Sequence, residues 1–135
     1  MIFLRGLAGV LLGFGVFAGL IRLLPGFTEP LASAPASTYL FVNIVWTVVA
    51  AIIGGYLAAL LAGSHEFPFA AAVGMLIIGV GLMSMRQEGA TRPGWYHITL
   101  AGCGPISAMI GAALRVLTKR RQPANSNTSA EAIRR

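Results

Sequence analysis

His65 and His97 are the two histidines of this chain, Cys103 is its one cysteine, and four residues are acidic. Any acid–base, nucleophilic or metal chemistry must start from these. Ser64-His65-Glu66 brings together residue types found in hydrolytic triads. Neighbours in a tight turn do not point at one another, however, whereas a triad needs nucleophile, base and orienting acid linked by hydrogen bonds. Neither histidine has a Cys, Asp or Glu at a recognised metal-ligand spacing. His97 follows Trp95 and Tyr96 and reads as a residue of a membrane–water interface. The glycines lie within apolar runs and not between a strand and a helix, so there is no phosphate-cradling loop. The residue types therefore supply no catalytic, cofactor or metal site, and the chain does not read as an enzyme.

Two other patterns carry physical meaning. The first is IIGGYLAALLAG, residues 52–63, where Gly54, Ala58 and Ala62 recur every four residues and Gly55, Ala59 and Gly63 run beside them. Within lipid there is little hydrophobic drive between helices, and small residues at this spacing let two backbones approach closely. Gly9 with Gly13 and Gly15 with Gly19 offer similar rows, as do Gly74 with Gly79, and Gly104, Ala108 and Ala112 beside Ser107 and Gly111. Packing within one bundle is the expected use of these faces; a contact between chains or a pore lining is the alternative.

The second pattern is Gly102-Cys103-Gly104-Pro105. Pro105 has no N–H for the carbonyl of Ala101, and its ring crowds the preceding turn. With glycines at Gly102 and Gly104, a kink or a short unwound piece is expected. Ser107 or Thr99 could satisfy the freed carbonyl. A plain proline kink is the first expectation. A broken helix lining a transport pathway is the alternative.

These residues are carried by long apolar runs. Of 135 residues, 56% are hydrophobic and 10% charged, against about 25% charged in a typical soluble domain. Four segments, about 2–24, 38–62, 69–85 and 96–117, approach or exceed the roughly 20 helical residues that cross a bilayer. They must be helical, since lipid offers backbone groups no partners and four spans cannot close a barrel. The fold class is all-α, an integral membrane four-helix bundle occupying residues 1–121. Residues 122–135 form a polar tail with little to bury, expected to be disordered.

The net charge of +6 is concentrated at one end, with six of ten basic residues from Arg115 onward. No aromatic residue is interleaved with them, which argues against nucleic acid. Arg115, Lys119, Arg120 and Arg121 are instead expected to meet anionic headgroups. With four spans, seven basic residues fall on the side of the termini and three on the other, so both termini are expected in the cytoplasm. Tyr39, Trp95 and Tyr96 then fall at the outer interface. The first segment could instead be a signal peptide cleaved after Ala34 or Ala36, but its apolar run exceeds a signal core and only Arg5 precedes it. Asn43, Thr47 and Ser107 are among the few polar residues within the spans and suit interhelical hydrogen bonds. No Asp, Glu, Lys or Arg lies near mid-membrane, which counts against a proton relay.

GGYLAALLAG, a short polar turn and AAAVGMLIIGVG (residues 54–81) resemble small uncharacterised bacterial membrane proteins with four helices and a GGY-x-AA-x-x-AG pattern ending the second. That resemblance implies a bacterial inner membrane and no assigned activity. The expected function is a structural, accessory or assembly subunit whose partners are the lipid bilayer and either a second copy or another membrane protein. A small oligomeric transporter or channel, with its pathway near Gly102–Pro105, is the alternative.

Overall fold

The computed structural model describes residues 2–28, 36–63, 65–88 and 93–121. They form an all-α four-helix bundle: α1 (Ile2–Thr28), α2 (Ala36–Ala62), α3 (Glu66–Glu88) and α4 (Gly94–Arg121). Each helix contains a stretch long and apolar enough to cross a bilayer, 21 to 27 residues, and the chain is a multi-pass membrane protein by architecture. The helix α2 sits at the centre and touches all three others, α4 leans on α2 and α3, and α1 packs mainly on α2. Large apolar side chains cover the outside of the bundle. Phe3, Leu4, Phe41, Met75 and Ile98 are all exposed there, as lipid-facing side chains must be.

All four helices extend beyond their expected bounds at one end or both. The first is expected to close at Pro25, yet α1 continues to Thr28 with Pro25 inside it. A proline this near the C-terminus removes only the bond to the carbonyl of Ile21. The Thr28 hydroxyl donates to the Leu24 carbonyl at 3.1 Å, and Phe27 stacks on Trp46 with ring centroids 5.2 Å apart. The second helix starts at Ala36, two residues early. The third starts at Glu66 because Pro68 falls in its first turn, where no N–H is needed, and Glu66 suits the positive end of the helix dipole. The fourth gains a turn, ending at Arg121, and opens with the Tyr96 amide donating to the Pro93 carbonyl at 3.0 Å. Ala62 ends α2, and Gly63 follows at φ 75°, a left-handed residue at the place where glycine is favoured. The tail 122–135 and residues 32–35 of the cleavage motifs lie outside the described residues.

The expected unwound piece at Gly102–Pro105 is not there. The helix α4 is continuous through Pro105. Neither hydroxyl expected to satisfy the freed Ala101 carbonyl goes to it: Ser107 donates to the Cys103 carbonyl at 2.7 Å and Thr99 to the Trp95 carbonyl at 2.8 Å. Gly74 of α3 packs closely on Pro105 at this point.

Candidate functional site

The bundle has two unlike ends. One, the locked end, gathers the start of α1, the end of α2, the start of α3 and the end of α4. Its helices touch backbone to backbone. A Cβ added to Gly13 would collide with the carbonyl oxygen of Gly54, and one added to Gly54 would sit 2.7 Å from the Gly13 oxygen. On the neighbouring face a Cβ at Gly55 would lie 2.6 Å from the Ala108 Cα, and one at Gly111 would lie 2.7 Å from the Tyr56 nitrogen. The two rows of residues 54–63 thus serve two partners. Gly54 and Ala58 receive Gly9 and Gly13 of α1, while Gly55 receives Ala108 and Gly111 of α4. Ala59, Ala70 and Ala112 close a small cluster beside this seam, and Ala62 is buried at its edge.

Not every small row is used. A Cβ at Gly15, Gly19 or Gly79 would meet nothing within 4 Å. Gly63, expected to extend its row, is an exposed turn residue instead. A Cβ at Gly74 would stand 2.9 Å from the Pro105 Cα and one at Gly104 2.6 Å from Ile77 Cγ2. Gly104 and Pro105 are therefore packing residues, and Gly102 is exposed on the outer surface. The basic cluster is also divided. The Lys119 ammonium donates to the Gly63 carbonyl at 2.8 Å and to Glu66 Oε1 at 3.1 Å, tying α4 to the α2–α3 turn. It is committed to the protein, while Arg120 is exposed and Arg115 half-buried. The side chain of Arg121 lies outside the described residues.

At the other end the helices carry large side chains around a cavity of about 290 Å³. All four helices contribute to it. Phe17, Ile21 and Leu24 from α1 and Ile77 and Val80 from α3 make an apolar wall, and Tyr39, Asn43, Thr47, Ser84, Tyr96 and His97 supply polar groups. Thr47 donates to the Asn43 carbonyl at 2.8 Å, so its oxygen keeps only acceptor capacity. Trp46 Nε1 donates to the Leu20 carbonyl at 2.9 Å, pinning α1 to α2 just outside the cavity.

Tyr96 and His97 correct the expectation of an interfacial aromatic cluster. Trp95 is 55% exposed, but Tyr96 is 2% and His97 6% exposed. Consecutive helix residues turn by about 100°, so two of the three rings face inward. The Tyr96 and His97 rings meet edge to face with centroids 5.4 Å apart. His97 Nε2 is buried and has no hydrogen-bond partner among the described residues. Buried polar groups are nearly always paired, and leaving one unpaired costs about 1–3 kcal/mol. The aromatic neighbours of His97 suggest an interface in sequence; the helical phase from Tyr96 to His97 and Leu100 is the available signal for an inward face.

Among the described residues, no group of three His, Cys, Asp or Glu side chains gathers as for a metal ion. His65 sits at the locked end and His97 at the open one, so the two cannot share a ligand. No family model, no curated protein and no solved structure matches this chain.

Proposed function

We propose that this protein is a non-catalytic structural or accessory subunit of a membrane assembly, resident in a bacterial inner membrane with both termini in the cytoplasm. The observation that carries the reading is the unequal use of the two small rows on α1. Gly9 and Gly13 are consumed against α2, whereas Gly15 and Gly19 are exposed with open space over them. In lipid, a bare row of this kind admits a second helix at close range, and the partner is another copy or a different membrane protein. The excess of basic residues on the side of the termini supports the orientation, with Arg115 and Arg120 left to meet anionic headgroups. A pathway at Gly102–Pro105 is disfavoured because Gly104 and Pro105 lie against Ile77 and Gly74 of α3.

The test is a benzophenone amino acid placed at Gly19, with Phe41 on the exposed face of α2 as the comparison site, irradiated in intact cells. The expected result is one discrete protein adduct from position 19 and none from position 41, its mass separating a self-contact from a different partner. Absence of a protein adduct at 19, or the same adducts at both sites, would contradict the assignment.

A further inference from the structure

We propose that the cavity at the open end is a binding site for a neutral amphipathic molecule drawn from the membrane. Its one polar group pairs with the imidazole of His97, and its apolar body lies against Phe17, Ile21 and Ile77. The inference is independent of the subunit role argued above.

Three observations converge on it. The first is the orphaned nitrogen: His97 is more than nine-tenths buried, lines the cavity, and leaves Nε2 without a partner. Nε2 itself is enclosed by protein, but the last side-chain torsion of histidine is soft, and rotation of the ring brings a nitrogen to the cavity that the residue lines. Imidazole can donate or accept there according to its tautomer, which suits a hydroxyl or a carbonyl equally.

The second is the composition of the walls. None of the described lining residues is Asp, Glu, Lys or Arg. A charged group taken from water into this space would have no counter-charge, and unpaired buried charge is strongly disfavoured. A wholly polar neutral molecule would leave the α1–α3 wall wet, and a wholly apolar one would leave His97 unpaired. The ligand that satisfies both walls has one polar end and one apolar end.

The third is size and position. The cavity of about 290 Å³ is many times the roughly 10–15 Å³ that one water needs. Water alone could pair Nε2 but would lie against the apolar side chains of three helices. The site is walled by the membrane-crossing helices themselves, and α1 contacts α3 less than it contacts α2. A molecule dissolved in the bilayer reaches the cavity by that looser boundary.

The experiment uses full-length protein in bilayer vesicles and a diazirine-bearing octanol as the probe, with labelled residues identified by peptide mass spectrometry. Saturable labelling is expected on cavity residues such as Tyr39, Asn43 or Tyr96. His97→Leu should weaken it roughly tenfold, the scale of one hydrogen bond, and His97→Gln should keep it within about threefold because a donor and an acceptor remain. Gly81→Leu blocks the cavity without touching His97. Gly81 lines the cavity and an added Cβ there meets nothing within 4 Å, so the variant is expected to fold, and the added bulk should lower apparent affinity roughly tenfold. The diazirine analogue of octanoate, which is anionic, should show no saturable labelling of these residues. Monoolein in the bilayer should compete with the octanol probe, and glycerol in the water should not. Labelling confined to lipid-facing residues such as Ile98 and unchanged by Gly81→Leu would overturn the proposal. So would equal labelling by the anionic probe, and competition by glycerol alone would overturn the membrane source.

Discussion

The two ends of this bundle are built from the same four helices and differ in one property, the size of the side chains turned inward. At the locked end the inward positions are Gly9, Gly13, Gly54, Gly55, Ala58, Ala108 and Gly111, and the axes close until backbone meets backbone. At the open end the inward positions are Phe17, Leu24, Tyr39, Asn43, Tyr96 and His97, and a cavity remains between them. In water, hydrophobic collapse would press both ends together. In lipid that drive is weak, and contact must come from dispersion and hydrogen bonds between surfaces that fit. Small residues therefore locate rigidity, and large mixed residues leave room. His97 lines that room, with its Nε2 enclosed by protein and unpaired among the described residues.

The contrast is broken most severely at the seam. Gly55→Leu places a side chain where the Ala108 backbone stands, and overpacking of this kind costs about 3 kcal/mol, the upper part of its usual range. Unfolding titrations in mixed detergent micelles should register that loss. A change within about 0.5 kcal/mol, the scale of ordinary surface substitutions, would mean the helices are not in contact there. The opposite sign is expected at the open end. In micelles of ionic and zwitterionic detergents, with no neutral amphiphile such as monoolein added, His97→Leu removes an unpaired buried nitrogen and should stabilise the protein by about 1–2 kcal/mol; the same titration reads it, and destabilisation would show that the nitrogen has a partner after all.

Smaller effects sharpen the picture. Gly81→Leu fills open space and replaces a glycine inside a helix, so a gain of about 1 kcal/mol is expected from the two contributions together. A rise in the thermal unfolding midpoint checks it. Lys119→Met loses an ion pair in which the lysine is 53% and Glu66 13% exposed, and screening limits the cost to about 0.5 kcal/mol. Unfolding at low and high salt should show that cost shrinking as salt rises.

Much of this architecture is legible from residue types. Four spans follow from hydropathy and length, and the double row of residues 54–63 announces a helix face made for close packing. What cannot be read is which neighbour takes which row, because Gly15–Gly19 looks the same in sequence as Gly9–Gly13 and only one of them is covered. Hydropathy stops short of the helix ends where polar or proline residues continue a helix already anchored elsewhere, as at Pro25, Glu66 and Lys119. At Gly102–Pro105 the sequence leaves a kink and an unwound piece both open; the helix is continuous there, with Gly74 packed closely on Pro105. The site escapes a sequence reading because adjacency to Trp95 disguises His97. Its burial depends on helical phase relative to α1, α2 and α3, a long-range relation that local pattern does not carry.

The central claim is that one end is closed to small molecules and the other is hollow, and thiol accessibility in the folded protein tests it directly. In a Cys103→Ser background, Thr47→Cys places a thiol on the cavity wall, and Val73→Cys places one at a fully buried position beside the seam. Both replacements shrink or preserve side-chain volume, so neither overpacks its site. A small neutral maleimide should modify the cysteine at position 47 in intact bilayers and leave that at position 73 unmodified until the protein is denatured. Equal reactivity at the two positions, or silence at 47, would contradict the account.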